Sequence, residues 1–234
     1  MLDRFIEDIE RQRKRVTVYS SENQTDITEQ LATRNVTVER RQLPSDRQEP
    51  FVTIHDDEEF VAAIALDDLQ ELLTPPIVRL SHQTGKTVGY PTVMDAFEET
   101  LFSSLERRQL LATSREIEDR ALRTGRGTLR VSFQSLSAFE SQIPVYRRLG
   151  TKTDLDIHIY GRADWTAPVL ENVTYHRDRK EKLTQFWCLA FDGGDTPAQA
   201  CALVARERDG RFEGFWSYDS TLVSDILSTL EGLD

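Results

Sequence analysis

Cysteine is almost absent: Cys188 and Cys201 are the only two in 234 residues, and both fall in apolar runs. That number excludes a disulfide-stapled secreted fold and implies a reduced, cytoplasmic setting. Metal chemistry is as poorly served. His55, His82, His158 and His176 are scattered, no two stand at helical ligand spacing, and there is no Cys-x-x-Cys. His158 with His176, and Cys188 with Cys201, are placed to meet across neighbouring strands, where core packing is expected. No apolar run is long enough to cross a bilayer, and residues 2–9 are amphipathic and acidic rather than signal-like. Lysine is scarce as well, confined to Lys14, Lys86, Lys152, Lys180 and Lys182 in a chain of formal charge -11. An acidic, arginine-dominated surface suits a salt-rich cytoplasm, where salt screens self-repulsion. It also disfavours nonspecific nucleic-acid binding. The one basic run, residues 11–15, ends the first predicted helix, where cations complement the dipole.

The glycines make no nucleotide cradle. Gly85-Lys86-Thr87 has the ending of a P-loop, but the first glycine of that pattern would fall at Leu80. Gly125-Arg126-Gly127 would need its third glycine at Arg130, and it follows a helix rather than a strand. There is no nucleophile elbow and no local Ser/His/Asp set. Acidic pairs such as Asp56-Asp57 and Asp67-Asp68 sit at turns and helix starts, where carboxylates belong anyway. No catalytic residue, metal or cofactor is identified.

What is there is a folded globular chain, 38% hydrophobic and 29% charged. It is organised around residues 106–134. Ser103 and Glu106 have capping-box spacing. Leu110, Ser114, Ile117 and Ala121 then share one helix face, widened by Leu111 and Leu122. Glu116 with Arg120, Asp119 with Arg123, and Arg115 with Glu118 are spaced as surface ion pairs. Gly125 offers a left-handed end, and Leu129, Val131 and Phe133 alternate with polar residues as a half-buried strand. Ser114 inside an apolar stripe, and the polar group Arg115, Glu118, Arg123 and Gln134, read first as a satisfied serine and a solvated face. The functional reading is the wall of a polar pocket.

The run RRQLLATSREIEDRALRTGRGTLRVSFQ resembles the core motif of the DICT sensory domain, in its haloarchaeal form. DLDIHIYG at 154–161, FWCLAFDGG at 186–194 and ALVARERDGRFEGFWSYD at 202–219 fit the same pattern in order. The segments MLDRFIEDIE, RVTVYS and FVTIHDDEEFVAAIALDDLQELL resemble what precedes the domain in those archaeal proteins. The resemblance implies a cytoplasmic, non-catalytic module associated with diguanylate cyclases, two-component systems and light-responsive regulators. It carries no catalytic residues with it.

Taken in order, the chain predicts a helix over 2–9 and strands at RVTVYS, VTVERRQLP, 51–54 and 60–66. A helix capped by Asp26 stands between the first two strands, and DDLQELL is a helix stopped by Thr74-Pro75-Pro76. Residues 77–92 read as a linker. An amphipathic helix carries Met94, Phe97, Leu101 and Phe102 into the central stretch. Beyond Gln134, the stripe Phe139, Ile143, Tyr146 and Leu149 is kinked or split by Pro144 and ended by Gly150. Strands follow at 155–159, at 173–175 as a short edge, at 186–191 as a central strand, and at 200–205 and 212–218 around an Asp209-Gly210 hairpin. A final helix runs from Leu222 to Leu230. Both halves show strand, helix, strand, strands, helix. The expected fold is therefore α/β, of mixed α+β type: an internal duplication joined by central helices, giving either two such lobes or one sheet with pseudo-symmetry. The domains expected are an N-terminal lobe at 1–76, the linker 77–92, and a sensory core at 93–234.

Aromatic residues concentrate in the second half. Phe215 and Trp216 cannot both point into one layer, so one sheet face is a candidate lining for a cavity or partner surface. The candidate ligand-binding residues are Ser114, Arg115, Glu118, Gln134, Trp187, Glu207, Trp216 and Tyr218. The function expected is sensing of a small ligand or a signalling partner. Output would pass through a separate protein, with light- or redox-linked regulation implied by the family. A protein-interaction adaptor without ligand is the alternative, and a small-molecule enzyme the third reading. No nucleic acid and no membrane insertion are expected, and oligomeric state is not readable.

Overall fold

Period-two apolar patterns in this chain produce two mixed sheets. The computed structural model describes residues 1–11, 14–21, 31, 36–44, 49–56, 58–73, 102–105, 107–177 and 182–233. Strands β1 (Lys14–Ser20), β2 (Val36–Gln42), β3 (Phe51–Asp56) and β4 (Glu59–Ala65) form a four-stranded sheet in the order β2-β1-β3-β4. Strands β5 (Phe102–Leu105), β6 (Arg126–Ser135), β7 (Asp154–Arg162), β8 (Val173–Arg177), β9 (Phe186–Phe191), β10 (Cys201–Arg208) and β11 (Arg211–Ser217) form a seven-stranded sheet. Its order is β5-β11-β10-β9-β6-β7-β8. The helices are α1 (Asp3–Glu10), α2 (Leu66–Leu73), α3 (Arg107–Thr124), α4 (Leu136–Phe139), α5 (Ile143–Lys152) and α6 (Ser220–Glu231). The architecture is α+β, as expected.

The larger sheet is a middle layer. Along β9, Phe186, Cys188 and Ala190 pack with α1 and α6, while Trp187, Leu189 and Phe191 pack with α3, α4 and α5. That explains why β9 is apolar on both faces, the mark of a strand covered from two sides. Phe215 and Trp216 likewise go to opposite faces, and both are buried. Helix α1 joins this layer rather than the sheet that follows it in sequence. Its Leu2, Phe5, Ile6 and Ile9 are buried there, and Asp3 pairs with Arg206 at 2.6 Å.

Local chemistry sets the boundaries. Gly125, at φ +76°, ends α3 with its N–H donated to the Ala121 carbonyl at 2.9 Å. Asp209 and Gly210, at φ +54° and +76°, make the tight turn between β10 and β11. Asp219 caps α6 by accepting from the Leu222 N–H at 2.7 Å. Pro144 sits in the first turn of α5, after a 3-10 turn over Glu140–Gln142, so the predicted stripe is split at the proline.

The structure corrects four expectations. Phe102 does not end a helix; it lies in β5, paired with β11 beside Gly214. Helix α5 runs through Gly150 to Lys152, because Gly150 is there for contact rather than termination: a Cβ on it would lie 2.0 Å from the Glu171 carbonyl oxygen. The surface ion pairs on α3 re-sort. Arg123 reaches back to Glu116 at 3.3 Å instead of Asp119, and Arg120 lies over the Tyr218 ring instead of pairing with Glu116. Cys188 and Cys201 are not neighbours, since they pair with Val204 and Phe191 and point to opposite faces. Apart from buried, helical Leu31, the helix predicted between β1 and β2 lies outside the described residues, as do the linker at 77–92, residues 94–101 and Glu106.

Candidate functional site

Helix α3 lies against β6, β9 and β10, and it carries Ser114, Arg115 and Glu118. Ser114 stands where α3 crosses β9. It accepts a hydrogen bond from the Trp187 indole N–H at 3.0 Å, and both groups are buried. The serine inside the apolar stripe is therefore the acceptor that lets a tryptophan be buried on this face. Arg107 covers the outer side of the same indole, 5.2 Å from its centre. Phe212 meets it edge-on at 5.9 Å.

Gln134 reaches this neighbourhood through an irregularity. The pairing of β6 with β7 shifts register between Ser132 and Ser135. A bulge releases the strict alternation of side chains. Consecutive Phe133 and Gln134 consequently line one small cavity with Arg107, Ala138 and Trp187. Gln134 donates its amide to Glu207 on β10. The cavity holds about 10 Å³, room for one water at most.

One turn further along α3, Glu118 is 4% exposed. It accepts from the Tyr146 hydroxyl at 2.8 Å and is paired with Arg115, which also bonds Gln142. Burial raises the Glu118 carboxyl above its ordinary range, opposed by Arg115 and by the Tyr146 bond. Burial also pushes the Tyr146 hydroxyl well up, and the neighbouring Glu118 adds to it. Tyr146 in turn packs edge-on against Phe133 and Phe139, which connects the charged group to the cavity wall.

Trp216 and Tyr218 lie apart from this. Trp216 is buried and stacks on Phe102 at 6.0 Å, while Tyr218 carries the Arg120 guanidinium 4.3 Å above its ring. The eight candidates thus do not form one site: Ser114 meets Trp187 and Gln134 meets Glu207 around one cavity, Arg115 meets Glu118, and Trp216 and Tyr218 lie apart. Sequence reading missed Arg107, Gln142 and Tyr146 as members. The hydroxyl of Tyr146 inside a hydrophobic stripe was the available signal, because a buried phenol needs a partner.

The described histidines and cysteines stand outside these groups. His158 Nδ1 and His176 Nε2 meet at 2.9 Å across β7 and β8. Among the described residues, no three His, Cys, Asp or Glu side chains are grouped to hold a metal ion. Burial drives the Cys188 thiol far up and the Cys201 thiol up to about 12, so both are held protonated. No described helix is long and apolar enough to cross a membrane.

Residues 92–208 match the family model for DICT, described as a sensory domain in diguanylate cyclases and two-component systems. That interval contains α3 and β6 to β10, and hence every candidate except Trp216 and Tyr218. No curated protein matches the chain. Among solved structures, polyphosphate kinase from Porphyromonas gingivalis aligns over 100% of this chain and 48% of its own, at 13% identity and TM-score 0.42. The chain thus spans about half the length of that kinase. Sso1120 from Sulfolobus solfataricus aligns over 67% of this chain and 78% of its own, at 12% identity and TM-score 0.21.

Proposed function

The chain belongs to the DICT sensory-domain family, and on that premise we propose a non-catalytic signal-transduction module whose moving part is α3. The module senses a small ligand, or the docking of a signalling partner, at the aromatic wall formed by Trp187 and Phe133. One observation carries this reading: a single helix holds both the Ser114 contact to Trp187 and the buried Glu118 bonded to Tyr146. A displacement at the indole therefore reaches a buried charge without leaving the helix. Packed cores respond to such displacements by switching between arrangements rather than by bending smoothly. Output passes to a separate regulated protein. A light-linked input would need a bound chromophore, and a redox-linked one must bypass Cys188 and Cys201, whose thiols are held protonated.

The test is to purify the chain natively in molar salt, record its absorbance spectrum, and identify small molecules released on denaturation. A stoichiometric compound that Trp187→Phe fails to retain supports the ligand reading. Retention unchanged in that variant overturns the site. The small volume of the cavity favours a second reading, an adaptor that binds a partner protein and no ligand. A colourless apoprotein that captures a partner, with capture lost on Arg107→Ala, supports it.

A further inference from the structure

A second cleft opens at the C-terminal end of α3, and its chemistry differs from that of the aromatic site. It has a volume of about 410 Å³ and is lined by Arg123, Thr124, Arg126, Asp195, Thr196 and Gln199. The described residues that line it are all polar. We propose that this cleft binds a small, strongly polar oxyanion, one bearing phosphate or carboxylate groups.

The donors outnumber the acceptors. Arg123 and Arg126 line the space, and the Thr196 hydroxyl and Gln199 amide engage no other described residue. Arginine suits this task because its planar fork of N–H groups matches a carboxylate or phosphate edge. The single carboxylate, Asp195, holds Arg126 at 2.6 Å, with the two side chains 64% and 75% exposed. An ion pair so open to water contributes little to stability, so an incoming oxyanion can take its place.

The wall behind these groups is fixed. Gly127 and Gly194 approach so closely that a Cβ on Gly127 would lie 2.8 Å from the Gly194 Cα. Gly194, at φ +59°, also packs beneath Arg126 and Thr124. The nearby Asp192 carboxylate is committed elsewhere, accepting from the Thr128 and Gly194 N–H groups at 2.9 and 2.8 Å. Two features oppose an anion, the negative end of the α3 dipole and Glu116, which is bonded to Arg123. Both are muted. Gly125 N–H and the Thr124 hydroxyl already engage the carbonyls of Ala121 and Arg120 in the last turn. Contact hydrogen bonds from two arginines also outweigh charges that water and salt screen.

The experiment is calorimetric titration of the full chain with pyrophosphate and, separately, citrate, with ionic strength held constant by KCl. Saturable binding is expected, weakened at least about tenfold by Arg126→Gln and by Arg123→Gln. Asp195→Asn should tighten binding about threefold, because it removes the internal competitor. Circular dichroism on the same samples confirms folding. Pyrophosphate alone binding identifies phosphate as the recognised group, citrate alone identifies carboxylate, and both together identify the shared oxyanion. The proposal is overturned by heats equal to the KCl control, by affinity unchanged in Arg126→Gln, or by weaker binding in Asp195→Asn. These readouts do not involve Trp187, so they succeed or fail independently of the sensory site.

Discussion

The two sheets share a strand order and differ in what covers it. In the smaller sheet β1 is parallel to β2 and antiparallel to β3, and β4 is antiparallel to β3. In the larger one β6 is parallel to β7 and antiparallel to β9, and β10 is antiparallel to β9. Laid over each other, the cross-strand row Val38, Val16, Ile54, Ala62 corresponds to Ile157, Leu129, Phe191, Cys201. The next row is Arg40, Val18, Val52, Ile64 against Ile159, Val131, Leu189, Leu203. One position changes character. Arg40 is exposed on an edge strand, whereas Ile159 is fully buried, because β7 has β8 outside it and helices across it. The same order thus leaves an exposed edge position in one place and lies in the middle of a sandwich in the other.

The largest effect should come from placing the smaller sheet's residue in the larger. Ile159→Arg buries an unpaired guanidinium in a row with Val131 and Leu189, so a loss of more than about 4 kcal/mol is expected. Soluble expression and a thermal melt read this directly. A stable, cooperative variant would mean that the β7 row is less enclosed than its counterpart positions imply.

Next comes the polar contact that only the sandwich contains. Trp187→Phe leaves the Ser114 hydroxyl buried without its donor, a cost of about 1–3 kcal/mol. Adding Ser114→Ala should recover part of it, since removing both partners is less costly than orphaning one. A double-mutant cycle in urea measures the coupling, and additive effects would deny the contact any role.

The sequence displayed most of this scaffold and little of the site. Strand and helix positions followed from alternation at β6, from the continuous apolar run at β9, from the Asp209-Gly210 turn and from the α3 stripe. Three-dimensional pairing did not. Arg115 with Glu118 was legible at three-residue spacing, but Tyr146 and Gln142, about thirty positions on, were not. Gln134 turns toward Glu207 because of a register shift in β6, and no local residue pattern announces it. Phe102 was misread because a four-residue edge strand offers too short a period to separate from the end of a helix.

A third test separates burial from ion pairing under α3. The Glu118 carboxyl is raised above 4.5, chiefly by burial. A raised carboxyl means that the folded state binds the extra proton, so this group's contribution falls as pH climbs from about 4.5 through the folded value and stays low above it. Glu118→Gln removes the charge and keeps an acceptor for Tyr146, while Arg115, 34% exposed, remains open to water. The variant should be about 1 kcal/mol more stable than the parent at pH 8, with the gap closing toward pH 4.5. If it is instead less stable at pH 8, the pair with Arg115 outweighs desolvation.

The smallest effect should be the reciprocal exchange, Arg40→Ile. At this exposed position on β2 the side chain gains little burial, and stability should move by no more than about 0.5 kcal/mol. What should change is association. Strand β2 ends in Glu39, Arg40, Arg41 and Gln42, and charge along an edge strand discourages pairing with another chain. Isoleucine there continues the apolar face begun by Val36 and Val38, both packed on the core. Light scattering against concentration should show earlier association in Arg40→Ile, at an unchanged melting temperature. A gain in stability comparable to the loss from Ile159→Arg would mean instead that β2 is covered as β7 is, and that the two sheets differ in sequence but not in enclosure.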